Sequence, residues 1–152
     1  MKIAVGSDEK TYLTNFVIKE LKKRGYKVGL FGSLRKGKKV SWPKVGEDVA
    51  EAVAGKKFNQ GILFCWTGTG ASIAANKVPG IRAALCFDAK IAEGARKWND
   101  ANILVMSLRL TSENIAKEIL DAWFSNKFNK LKKDMIKKLL EIEKKYFKLK
   151  NI

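Results

Sequence analysis

Cys65 closes an apolar run, Gln60-Gly61-Ile62-Leu63-Phe64, and leads into Trp66-Thr67-Gly68-Thr69-Gly70-Ala71-Ser72. A buried strand, a glycine-rich turn and a helix start, in that order, form a ready anion cradle. Glycine accepts positive φ and lets backbone approach a ligand closely. The first amides of a helix have no partner within it and point at whatever docks there. A thiol at the strand end also feels the positive end of the helix dipole, which favours the thiolate. A thiolate so placed can take a carbon-bound proton beside a carbonyl. The neighbouring amides would then hold the enediolate oxygen that develops. Thr67 adds a hydroxyl able to relay a proton or bond a substrate oxygen. The turn is not a Walker A loop, since no Gly-Lys-Ser/Thr follows, and it lacks the third glycine of a dinucleotide fingerprint. By itself the pattern also suits a purely structural turn.

The elements that must position this turn alternate strand with helix. Ile3 to Gly6, Tyr26 to Phe31, Gln60 to Cys65, Arg82 to Phe87 and Ile103 to Met106 read as short buried strands. Between them, Leu13, Phe16, Val17 and Leu21 make a helical stripe, and Pro43 opens a second helix that Gly55 ends. A short helix covers about Ala71 to Lys77. Asp88 is placed to cap the next, over Ile91 to Trp98, and Thr111-Ser112-Glu113-Asn114 opens one running to about Phe124. Five strand–helix units predict a single-domain α/β fold, a doubly wound, five-stranded parallel sheet of flavodoxin or Rossmann type. Its ligand belongs beyond the carboxyl ends of the strands. Residues 1–126 form that domain. Residues 127–152 are a lysine-rich helical extension with Leu131, Met135, Leu139, Ile142 and Tyr146 on one side. It is expected to pack on the domain or on a partner subunit.

Composition narrows the function. The chain has 152 residues, enough for one domain with a substantial core. It carries 31 Lys and Arg against 15 Asp and Glu, for a formal net charge of +16. Such a field attracts anions, phosphorylated metabolites included, although a lysine-coated surface alone would look the same. A nucleic-acid partner is not expected, because no recognition motif accompanies the basic helix. Two cysteines with no histidine do not make a zinc site, so neither metal nor cofactor is expected. Cys86 reads as core, and Trp42 as packing a loop over the sheet. No apolar run is long enough for a membrane span and no leader pattern opens the chain, so a cytoplasmic protein is expected.

The run from Gly61 to Ala84, with Cys65-Trp-Thr-Gly-Thr-Gly-Ala-Ser at its centre, resembles the central motif of the family that joins ribose-5-phosphate isomerase B to the two subunits of galactose-6-phosphate isomerase. Met1-Lys-Ile-Ala-Val-Gly-Ser-Asp8, Asn99-Asp-Ala-Asn-Ile-Leu-Val105 and Asp121-Ala-Trp123 fit as well, and the likeness runs from about Met1 to Phe128. The resemblance implies metal-free aldose–ketose isomerisation of a phosphorylated sugar through a cis-enediolate. It places the family's base on Cys65, the assisting hydroxyl on Thr67 and the enediolate-holding amides on Gly68, Thr69, Gly70, Ala71 and Ser72. It places the family's aspartate for sugar binding and ring opening on Asp8, its substrate-binding asparagine on Asn99, and its arginine after the fifth strand on Arg109. It also implies a homodimer or homotetramer with active sites at the subunit interface.

The chain departs from that pattern at several positions. Glu9 and Trp98 stand where family members usually carry histidine, and Trp66 stands where they carry glycine. Lysines such as Lys132 and Lys133 occupy the region of a phosphate-gripping arginine pair. Glutamate repels phosphate, and tryptophan is no general acid. Three readings follow: a short or already open-chain substrate, one subunit of a heteromeric isomerase, or a phosphometabolite-binding protein on the same fold.

Overall fold

The computed structural model describes residues 1–148. Five strands, β1 (Lys2–Ser7), β2 (Lys27–Gly32), β3 (Gln60–Cys65), β4 (Ala83–Leu85) and β5 (Ile103–Ser107), form one parallel sheet in the order β2-β1-β3-β5-β4. The five-stranded parallel α/β sheet is thus the one expected. Relative to the flavodoxin order its last two strands are exchanged, so β5 runs between β3 and β4. Central strands have both faces covered by helices, which is why β1, β3 and β5 read as unbroken apolar runs.

Helices α1 (Tyr12–Lys23), α2 (Trp42–Ala54), α3 (Thr69–Ala75), α4 (Ala89–Asn99) and α5 (Glu113–Ser125) connect or follow the strands. Each right-handed crossover places its helix on a face set by the direction the next strand is added. One core therefore joins α1, α4 and α5 to the sheet through Leu13, Val17, Leu21, Ala92, Ala116, Leu120 and Trp123. The other joins α2 and α3 through Val45, Val49, Val53, Ala71 and Ala75. Trp123 is fully buried, and its indole N–H donates to Gln60 Oε1 at 2.7 Å, which ties α5 to the start of β3.

Helix starts follow their local chemistry. Thr11 and Thr14 exchange side-chain and backbone hydrogen bonds at the head of α1. Asp88 Oδ1 accepts from Ile91 N at 2.8 Å, so Asp88 caps α4 as its type and position suggest. Cys86 is buried beyond β4, and burial pushes its thiol pKa up to about 12. Strand β4 is shorter than the expected Arg82 to Phe87. It is the sheet edge, and at Ala83 the Asn76 side chain takes the place of a neighbouring strand. Asn76 Nδ2 donates to Ala83 O at 2.9 Å and Asn76 Oδ1 accepts from Ala83 N at 2.8 Å.

Beyond α5 the backbone makes a short 3₁₀ turn at Lys130–Lys132 and then α6 (Lys133–Lys148). The expected end of this helix near Lys150 lies outside the described residues. Glu143 accepts from Gly80 N at 2.8 Å, which lays α6 beside the β4 edge. Leu131, Met135, Leu139, Ile142 and Tyr146 are exposed in the single chain. Among the described residues no helix is long and apolar enough to cross a membrane.

Candidate active site

The turn after β3 is held from two sides. Leu108 N donates to Cys65 O at 3.0 Å and Arg109 N to Trp66 O at 2.9 Å. Ser107 Oγ donates to Trp66 O at 2.9 Å and accepts from Leu110 N at 3.2 Å. The loop after β5 thus clamps the backbone immediately past Cys65. Gly68 sits at φ 81°, a left-handed conformation that glycine adopts without strain, and it opens α3 with no side chain to cap the first amides.

On the adjacent strand, Ser7 Oγ donates to Glu9 O at 2.6 Å and accepts from Glu9 N at 3.2 Å, which bends the chain sharply after β1. That bend sets Asp8 at the crevice between β1 and β3, where the order of strand addition reverses and open α/β sheets bind ligands.

A cleft of about 260 Å³ opens at this point, lined by Asp8, Trp42, Cys65, Trp66, Thr67, Thr69 and Gly70. Cys65 is 4% exposed, while Trp42 and Trp66 stand half-open at the walls. The hydroxyls of Thr67 and Thr69 are 2.7 Å apart and hydrogen-bonded. Asp8 Oδ1 is buried with no hydrogen-bond partner. Burial raises the Asp8 pKa, partly offset by a hydrogen bond from its own backbone, with the Glu9 charge adding to the rise. The cleft therefore holds a thiol, a carboxyl with a free oxygen, and two hydroxyls beside a helix start. Those are the groups needed to move a proton between adjacent carbons while handling the oxygens on each.

Of the residues singled out from sequence, Asp8, Cys65, Thr67, Thr69 and Gly70 meet here, and Gly68, Ala71 and Ser72 complete the turn. Arg109 is exposed beside it, tied through its backbone to Trp66. Glu9 is exposed next to Asp8. Trp98 and Asn99 lie elsewhere. Helix α4 runs back against the strands, so its C-terminal end lies toward their amino ends, away from Cys65. There the two residues line a separate groove with Ala84, Leu85 and Ile91. Lys132 and Lys133 are exposed at the head of α6, outside the cleft.

Two contributors were not foreseen. Trp42 does not pack a loop over the sheet; it starts α2 and lies on Gly70, where an added Cβ would sit 2.9 Å from its ring. The signal was Gly70 itself, a helix position where glycine is unfavourable unless something must come close. The other is Ser107, whose hydroxyl braces the turn after β3 from the neighbouring strand end.

The family model for ribose/galactose isomerases matches residues 3–141. This chain belongs to that family. Ribose-5-P isomerase B of Listeria innocua is 42% identical over 130 residues, which are 85% of this chain and 87% of that protein. D-erythrulose-4-phosphate isomerase of Pectobacterium atrosepticum is 37% identical over 129 residues, 84% of this chain and 85% of that one. The solved structure of ribose-5-phosphate isomerase B from Clostridium thermocellum aligns with a TM-score of 0.89 at 44% identity, covering 96% of this chain and 99% of the other. Membership sets the reaction class, the aldose–ketose isomerisation of sugar phosphates. Among the described residues no group of three or more Cys, Asp or Glu side chains is placed to hold a metal ion.

Proposed function

We propose that the chain interconverts an aldose phosphate and its ketose, of the ribose 5-phosphate and ribulose 5-phosphate type, through an enediolate with Cys65 as the base. The observation that carries this reading is the shared cleft of Cys65, Asp8 and Thr67 at the switch point of the sheet. In the proposed sequence the Cys65 thiolate takes the proton from C2 of the aldose. The C2–H electron pair becomes the C1–C2 double bond, and the carbonyl pair moves onto O1. The thiol then returns the proton to C1 as O2 becomes the carbonyl. Thr67, hydrogen-bonded to Thr69, moves the proton between O1 and O2, and the amides from Gly68 to Ser72 stabilise the oxyanion. Asp8 accepts a hydrogen bond from a sugar hydroxyl through its unpartnered oxygen. Arg109, exposed beside the turn, supplies positive charge for the phosphate.

Trp98 and Asn99 are proposed to reach a cleft across a subunit interface, in a dimer that also covers the apolar side of α6 and the β4 edge. What supports this is the exposure of Trp98 and of the α6 residues in the single chain, together with their distance in the fold from Cys65. Substituting Cys65 by alanine, with the fold intact by circular dichroism, is expected to lower kcat by about 10²–10⁴-fold, the usual loss of a positioned base. Retention of full turnover would remove Cys65 from the reaction.

A further inference from the structure

We infer that Ser107 is a positioning residue for the isomerisation. Its hydroxyl holds the Trp66–Thr67 peptide turned so that the Thr67 N–H faces the cleft and donates to the enediolate oxygen. The inference rests on the isomerase reading above and adds a donor and the group that aims it.

Strand β3 sets the starting orientation. Gly61 N donates to Asn102 O at 3.0 Å, and Leu108 N donates to Cys65 O at 3.0 Å. Gly61, Leu63 and Cys65 therefore turn their peptide groups toward β5, and the alternation of a strand turns those of Ile62 and Phe64 toward β1. One residue further, a continued strand would point the Trp66 carbonyl toward β1, into the crevice that holds Asp8. The partial negative charge of that oxygen would oppose the enediolate.

The chain does the opposite. Trp66 O accepts from Arg109 N at 2.9 Å and from Ser107 Oγ at 2.9 Å, both on the β5 side. Among the described residues no peptide bond is cis. The Thr67 N–H therefore points away from that carbonyl, toward β1 and the cleft. Strand β1 has already ended at Ser7, and among the described residues the Thr67 N–H has no acceptor. The hydrogen bond that Thr67 makes to Thr69 runs through its hydroxyl.

Ser107 is built for this task. It is fully buried, and its Oγ accepts from Leu110 N at 3.2 Å, which commits its own proton to Trp66 O. It is the register partner of Cys65, so it stands beside the residue that moves the carbon-bound proton. A carbonyl that accepts two hydrogen bonds draws charge from its own amide, which makes the Thr67 N–H a stronger donor. Thr67 then serves both oxygens of the intermediate: its hydroxyl moves the proton between them and its amide holds the charged one. That charge exists only after Cys65 has taken the proton. An aimed donor therefore raises kcat and leaves the binding of substrate unchanged.

The test compares wild type with Ser107→Ala on ribose 5-phosphate and ribulose 5-phosphate. The probe is the hydroxamate of 4-phosphoerythronic acid, whose two adjacent oxygens copy the enediolate. Removing a preorganised donor outright costs about 10²–10³-fold in kcat. Ser107→Ala keeps the donor and the Arg109 contact and loses part of the aim, so kcat should fall about 10–10²-fold with KM nearly constant. Hydroxamate binding should weaken by the same factor as kcat. A folded variant with wild-type kcat, or one whose loss lies in KM, overturns the inference while leaving the isomerase reading intact. A second measurement needs no variant. In isotope-labelled wild type the Thr67 amide proton should move downfield in the NMR spectrum at saturating hydroxamate. A Thr67 amide that stays in place overturns the inference even if Ser107→Ala does not fold. Wild type that turns over neither sugar phosphate overturns the isomerase reading and this inference with it.

Discussion

The turn that carries the site can be probed through Gly68 without removing a reactive side chain. At φ 81° an added Cβ meets its own backbone, at about 1–2 kcal/mol for an L-residue in the left-handed region. That Cβ would also stand 2.5 Å from Leu85 Cδ1 and 3.3 Å from the backbone of Met106 and Ser107. Leu85 ends a half-buried edge strand and can turn aside, but the backbone of β5 cannot. The overpacking adds about 1–3 kcal/mol, so Gly68→Ala should cost about 2–5 kcal/mol in all. Gly25 provides the control. Its φ is 78° and nothing lies within 4 Å of its would-be Cβ, so Gly25→Ala bears the backbone cost alone. Urea unfolding measures both, with unchanged m-values showing that stability and not compactness has moved. If Gly68→Ala lowers the midpoint no more than Gly25→Ala, the close packing of the turn against β4 and β5 is wrong. In the folded fraction kcat should also fall, because the turn can only relieve the contact by moving away from Ser107.

Other expectations concern the core and the charges. Trp123→Phe keeps an aromatic ring but leaves Gln60 Oε1 without its donor, which should cost about 1–3 kcal/mol by urea titration; a neutral effect would mean that water replaces the indole there. Because burial raises the Asp8 pKa in the folded state, folding favours its protonated form. That contribution is fully present below the ordinary value of 3.8 and is lost as pH rises through the folded pKa. Asp8→Asn should therefore raise Tm at pH 7, flatten the decline above 3.8 and still weaken substrate binding; a lower Tm at pH 7 contradicts the desolvation account. Asp121 is the opposite case, its pKa lowered by hydrogen bonds from Lys117 and Arg24, so its contribution is present above the usual carboxylate range and fades as pH falls. Arg24→Gln should shrink that acid-side loss in a Tm series against pH, and an unchanged series would show the pair to be too exposed to matter.

Much of this architecture is legible in the sequence because each central strand is an unbroken apolar run and each helix has a marked start. Pro43, Asp88 and Ser112 all stand at helix starts. Local patterns carry no strand order, however. That β5 enters between β3 and β4 is a long-range pairing. Trp98 and Asn99 lie away from Cys65 because they end α4, which runs back along the strands. The turn itself was readable from Gly68 and Gly70 beside a strand-end thiol. Trp42 was not, because Gly70, 28 positions later, marks a close approach without saying which side chain makes it. The apolar side of α6 is clear in the sequence, but periodicity alone cannot say whether one chain covers it, and a single chain leaves it exposed.

The most direct test of the central claim is proton NMR of the purified protein with ribulose 5-phosphate in deuterated water, beside its Cys65→Ala variant. A proton shuttled through the Cys65 thiol exchanges with solvent, so wild type should form ribose 5-phosphate carrying deuterium at C2, and the folded variant should form almost none. Conversion with no deuterium incorporated, or equal conversion by the variant, would contradict a Cys65-borne proton transfer.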